Sequence, residues 1–231
     1  MRYLLRHTTH YQYSGAVTLS HNEARILPRV LPWQDCSNTQ LVITPIPDRM
    51  RERIDFFGNR VVYFSIESLH ESLDVTVTSE IVTHPRTSAD IFSSISWEQA
   101  AEELRHDPRQ TNRDALDARL YVLDSPFIFQ SPGLADYARS SFTPGRNLVD
   151  AVLELNQRIF SEFTYDPEFT TLATPLQDVL ASKRGVCQDF AHLGIGCLRS
   201  LGLAARYVSG YMETLPPPGQ QKLLGADATH A

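Results

Sequence analysis

The stretch Lys183-Arg184-Gly185-Val186-Cys187-Gln188-Asp189-Phe190-Ala191-His192 sets a cysteine just after a glycine turn and two cations, at the start of an apolar run. If residues 187–200 form a helix, Cys187 occupies its first turn. Peptide N–H groups there have no intrahelical partner, and with the helix dipole they stabilise a thiolate. Lys183 and Arg184 can add to that field. The same N–H groups can receive the oxyanion of an acyl-transfer intermediate. The position suits a nucleophile, and it leaves open that Cys187 is simply a small buried hydrophobe.

A thiol nucleophile needs a base. His192 lies five residues on, which leaves it about 140° round the helix from Cys187, so it is expected to be structural. His230 is the better candidate. It follows a strand-like segment, a proline loop and Gly225-Ala226-Asp227-Ala228-Thr229, and it opens a segment that can lie against the Cys187 helix.

The elements that must position these residues fall into three stretches. Residues 1–86 read as antiparallel β structure. Ser72 to Thr83 alternates with period two and puts Leu73, Val75 and Val77 on one face. Gly58-Asn59 supplies a hairpin turn. Residues 87–145 read as a connecting region with short helices. Within it Ser96-Trp97-Glu98-Gln99 carries a capping-box pattern, with a helix to about His106, and four prolines follow. From 146 to 231 the spacing turns helical. Leu148, Val149, Val152, Leu153, Leu155, Ile159 and Phe160 mark one helix, residues 175–180 a short second, and residues 187–200 a third, apolar nearly all round and hence central. Gly202 suits its C-terminal turn, and Leu203 to Met212 reads as a buried strand.

Composition narrows the function classes. The 231 residues carry a formal charge of −6 with 42% hydrophobic residues, so a sizeable core is available and nucleic acid is a poor partner. No stretch approaches the ~18 apolar residues of a membrane span, and the N-terminus lacks the apolar core of a secretion signal. A cytoplasmic protein is the expectation. The three cysteines, Cys36, Cys187 and Cys197, are odd in number and widely spaced. Cys187 and Cys197 stand ~15 Å apart along one helix, too far for a disulfide. His7, His10 and His21 lack ligand spacing, so neither metal nor cofactor is expected.

The order Gly185 to His192, then a helix ending in Leu201-Gly202, then Ala205-Arg206-Tyr207-Val208-Ser209-Gly210-Tyr211, then Gly225 to Ala231 resembles the transglutaminase-like superfamily. The resemblance is closest to bacterial members with an N-terminal β domain, whose signature positions are matched by residues 21–29 and 55–59. It implies an α+β fold, in which an N-terminal antiparallel β domain precedes a papain-like core carrying the nucleophile at the start of a central helix. It also implies a Cys-His-Asp arrangement in which Cys187 attacks an acyl carbonyl, His230 holds the thiolate and protonates the leaving amine, and a thioester is resolved by water or an amine. A second oxyanion donor is expected at Tyr165, where the superfamily often places an aromatic, or at Gln188 beside the nucleophile.

One departure stands out. The family's orienting aspartate lies on the strand after the histidine, and a tryptophan follows His-Ala; neither has a counterpart before Ala231. Asp227 more readily shapes a turn than orients the imidazole. The resemblance therefore implies a chain that continues, and a 231-residue piece that is impaired in catalysis and prone to self-associate. Two functions compete: a cysteine enzyme acting on a protein or peptide amide, and an inactive module of the same fold that binds peptide or a protein partner.

Overall fold

Alternation of apolar side chains builds the N-terminal half. The computed structural model describes residues 1–85, 95–105, 113–169, 171, 174–213 and 229–231, and the chain divides into two units, residues 1–90 and 91–231. The first unit holds β1 (Arg2–Val17), β2 (Ser20–Ala24), β3 (Gln34–Thr44), β4 (Arg49–Ile54), β5 (Arg60–Ile66) and β6 (His70–Thr83). They form two three-stranded antiparallel sheets, β1-β6-β3 and β2-β5-β4. The expected face of β6 is inward: Leu73, Val75 and Val77 are buried, and they share apolar clusters with Val62, Phe64 and Ile66 of β5. Period two on both strands is what lets one sheet cover the other. The β4–β5 turn is longer than Gly58-Asn59 alone. The Asp55 carboxylate accepts the Phe57 and Asn59 N–H groups at 2.9 and 2.8 Å, and only Gly58 takes a positive φ, +78°.

The second unit holds α1 (Trp97–Arg105), α2 (Arg113–Arg119), α3 (Pro132–Arg139), α4 (Leu148–Glu162), β7 (Thr164–Tyr165), α5 (Leu176–Ser182), β8 (Arg184–Gly185), α6 (Cys187–Ser200), β9 (Gly210–Tyr211) and β10 (Thr229–His230). The capping box forms as read: Gln99 Oε1 accepts the Ser96 N–H at 2.9 Å, and Ser96 Oγ accepts the Gln99 N–H. Leu193 and Cys197 of α6 are fully buried among Leu155 and Ile159 of α4, Leu134 and Ala138 of α3, and Val179 of α5. A Cβ on Gly196 would stand 2.9 Å from Leu134 Cδ1, so that glycine sets how closely α3 approaches α6. Ala101, Ile128 and Phe142, from the stretch expected as a connection, lie in this same core. No described helix is long and apolar enough to cross a membrane.

Residues 203–212 depart from expectation. In place of a buried strand they run irregularly to Ser209 and pair only as Gly210–Tyr211, and Val208 and Met212 are exposed. The backbone explains it. The Ala205 N–H donates to the Tyr121 carbonyl at 3.1 Å, and the Ala205 carbonyl accepts two bonds from the Arg199 guanidinium. Groups that a strand would spend on a neighbour are used on a loop and a side chain.

Candidate functional site

The start of α6 is built by three consecutive constraints. Lys183 closes α5 in the left-handed region, at φ +54°, and turns the chain back. Parallel pairing of β7 with β8 then sets Thr164 beside Arg184 and Tyr165 beside Gly185. Last, the buried Asp189 carboxylate accepts the Val186 N–H at 2.8 Å, satisfying the peptide ahead of the helix.

Cys187 is the first residue of α6 and its thiol is free and half-buried. The Cys187 and Gln188 N–H groups take no partner among the described residues. Donors and sulfur therefore share one place, as an acyl-transfer site requires. The two flanking cations are spent elsewhere. Lys183 Nζ pairs with Glu162 at 2.8 Å, and Arg184 pairs with Asp166 while lying over the Phe169 ring. Both carboxyls are held below the ordinary carboxylate range, chiefly by those hydrogen bonds. The pairs fasten the turn before the helix, and the field expected from free cations at the sulfur is correspondingly reduced.

His230 lies in β10, opposite Gly210 of β9, and is partly buried. No hydrogen bond joins it to Cys187 among the described residues. Asp227 lies outside the described residues. Tyr165 is brought near by its backbone, two residues from Cys187 across the β7–β8 pairing, yet its side chain is 62% exposed. Gln188 is half-exposed on the first turn. His192 is half-buried, and its contacts are with two aromatic rings. Its ring stacks on Phe127 at 5.8 Å with 6° between planes, and it meets the Tyr207 ring at 5.1 Å.

Tyr207 packs against α6 through His192, a contact that the sequence reading did not foresee. Burial pushes its phenol up, and the charge of Cys187 pushes it the same way. The stretch Ala205 to Tyr211 entered the sequence reading as part of a strand and of the family resemblance, with no role for Tyr207. Arg199 at the far end of α6 secures both sides of this ring stack. It donates to the Leu123 carbonyl at 2.9 Å and Ser125 Oγ at 3.0 Å ahead of Phe127, and to the Ala205 carbonyl at 2.8 Å ahead of Tyr207.

Comparison with known proteins agrees with this architecture. The family models for the bacterial transglutaminase-like N-terminal region and the transglutaminase-like superfamily match residues 3–82 and 135–231. An uncharacterized protein of Mycobacterium tuberculosis (strain ATCC 25618 / H37Rv) is 38% identical over 234 residues, spanning 100% of this chain and 72% of that protein. An uncharacterized protein of Mycobacterium leprae (strain TN) is 31% identical over 206 residues, spanning 89% of this chain and 69% of its own length. A crystal structure from Cytophaga hutchinsonii, named as a candidate cysteine protease, shares the fold with a TM-score of 0.69 at 22% identity, over 100% of this chain and 73% of that one. The chain belongs to the transglutaminase-like superfamily and carries the bacterial transglutaminase-like N-terminal region ahead of the superfamily's core.

Proposed function

We propose that this protein is a cysteine acyltransferase or amidase acting on a protein or peptide amide, with Cys187 as nucleophile and His230 as its acid–base partner. The observation that carries the reading is the coincidence of a free, half-exposed thiol with the unpartnered N–H groups of Cys187 and Gln188 at one helix start. The thiolate attacks the carbonyl carbon, the carbonyl π pair moves to oxygen, and the N–H groups hold that oxyanion. The C–N bond then breaks as the His230 imidazolium gives its proton to nitrogen, leaving a thioester. Water or an amine attacks the thioester, His230 takes the incoming proton, and the sulfur leaves. One imidazole serves as acid in the first half and as base in the second.

Hydroxylamine trapping of a glutamine peptide tests this. The wild-type chain is expected to convert the side-chain amide to a hydroxamate with release of ammonia, and Cys187→Ala to form none. Hydroxamate formation by the Cys187→Ala variant at the wild-type rate contradicts the assignment. Peptide binding without turnover in both proteins marks the chain as a binding module instead.

A further inference from the structure

We propose that the main chain of Tyr165 holds the substrate: its N–H and C=O pair with an extended peptide that lies along the free edge of β7 and delivers an amide to Cys187. The proposal rests on Cys187 being the nucleophile, and it names the substrate class as an extended peptide segment rather than a free small amide.

The hydrogen bonds of the β7–β8 pair decide which groups are left over. The Thr164 N–H donates to the Lys183 carbonyl and the Asp166 N–H to the Gly185 carbonyl, each at 2.8 Å. Alternate residues of a strand bond to the same neighbour, so the N–H and C=O of Tyr165, between these two, point to the opposite edge. No described strand lies on that edge, neither group has a partner among the described residues, and Tyr165 is 62% exposed. The backbone there is held from both sides. Besides its N–H bond, Asp166 accepts the Arg184 Nε–H at 3.1 Å and the Glu168 N–H at 3.0 Å through its carboxylate. The Tyr165 ring and hydroxyl, by contrast, make no contact among the described residues that would aim them at an oxyanion. A fixed, unpaired main-chain edge is what strand addition uses to bind peptides. Gly185, opposite Tyr165, precedes Cys187 by two residues, so the edge borders the thiol. An added strand lies about 10 Å from β8, two strand spacings, which about three extended residues cover. An antiparallel segment exchanges both bonds with Tyr165 through one of its residues.

Hydroxamate formation from a glutamine-centred peptide, compared with analogues N-methylated at one main-chain nitrogen each, tests this. In the wild-type chain, N-methylation of the one residue that pairs with Tyr165, about three residues from the glutamine, is expected to lower kcat/KM about 10-fold through a raised KM. Equal kcat/KM across the series, or equal loss at every position, overturns the proposal. Tyr165→Pro removes the N–H and suits a position that follows an extended residue. It is expected to cost the unmodified peptide a similar factor and to abolish most of the N-methyl penalty, because both changes break the same pair. A full penalty that persists in a Tyr165→Pro chain with a wild-type circular dichroism spectrum also overturns it; should that variant not fold, the wild-type series decides alone. Hydroxamate from no peptide, or from Cys187→Ala at the wild-type rate, removes the nucleophile assignment and this proposal with it, which is a different result from wild-type turnover that ignores N-methylation.

Discussion

The Asp189 carboxylate lies against Gly185 so closely that a Cβ on the glycine would stand 2.7 Å from Asp189 Oδ2 and 2.9 Å from its Cβ. The same carboxylate accepts the Val186 N–H, so the glycine makes the room in which the helix cap forms. Glycine is needed here for proximity rather than for backbone freedom, since its φ is not in the left-handed region.

Gly185→Ala is therefore expected to displace Asp189 and lower stability by about 1–3 kcal/mol, the cost of overpacking a tight site. Asp189→Ala leaves Gly185 unstrained and removes the cap, at about 1 kcal/mol. Urea unfolding of both variants checks the order. Both should slow acylation of Cys187, because the helix start that holds its N–H groups is loosened.

Arg199 links α6 to the two segments that carry Phe127 and Tyr207. Arg199→Lys cannot reproduce a planar fork reaching two carbonyls and a hydroxyl. We expect a loss of about 2–3 kcal/mol from the bonds left unmade, and a melting temperature lower by about 5–10 °C. Differential scanning calorimetry measures it. A variant that melts with the wild type would show that these bonds are replaced.

His192 gives a pH dependence. Burial lowers its imidazole below the ordinary value, with Asp189 opposing and Arg199 reinforcing the shift. The unfolded chain then binds that proton more tightly than the folded one. The stability from keeping His192 neutral is complete above the ordinary imidazole value, falls as pH drops below it, and levels off once pH is below the folded value. His192→Phe keeps a ring between Phe127 and Tyr207 and removes the proton. Melting temperature measured from about pH 8 to about pH 5 should fall less steeply in the variant than in the wild type. Identical slopes contradict the assignment.

Local rules carried much of this fold into view. The inward face of β6, the capping box at Ser96 and the extent of α6 all follow from period, side-chain length and helix angle. What local rules could not supply was the use of backbone groups by distant side chains. Arg199 takes the Ala205 carbonyl and so prevents the strand that the apolar run from Leu203 suggests. Lys183 and Arg184 look like free cations until Glu162 and Asp166, 21 and 18 residues away in sequence, come to meet them. The contact of Tyr207 with His192 is hidden for the same reason: the two rings meet only in three dimensions.

The central claim is that Cys187 alone among the three cysteines is a working nucleophile. Burial pushes the Cys197 thiol up to about 12 and also raises that of Cys36, so both stay protonated at neutral pH. The most direct measurement is peptide mapping by mass spectrometry after timed exposure of the native chain to iodoacetamide near neutral pH. Modification of Cys187 many-fold ahead of Cys36, with Cys197 untouched until the chain unfolds, is the predicted result. Equal rates at all three cysteines, or Cys36 leading, would contradict the account.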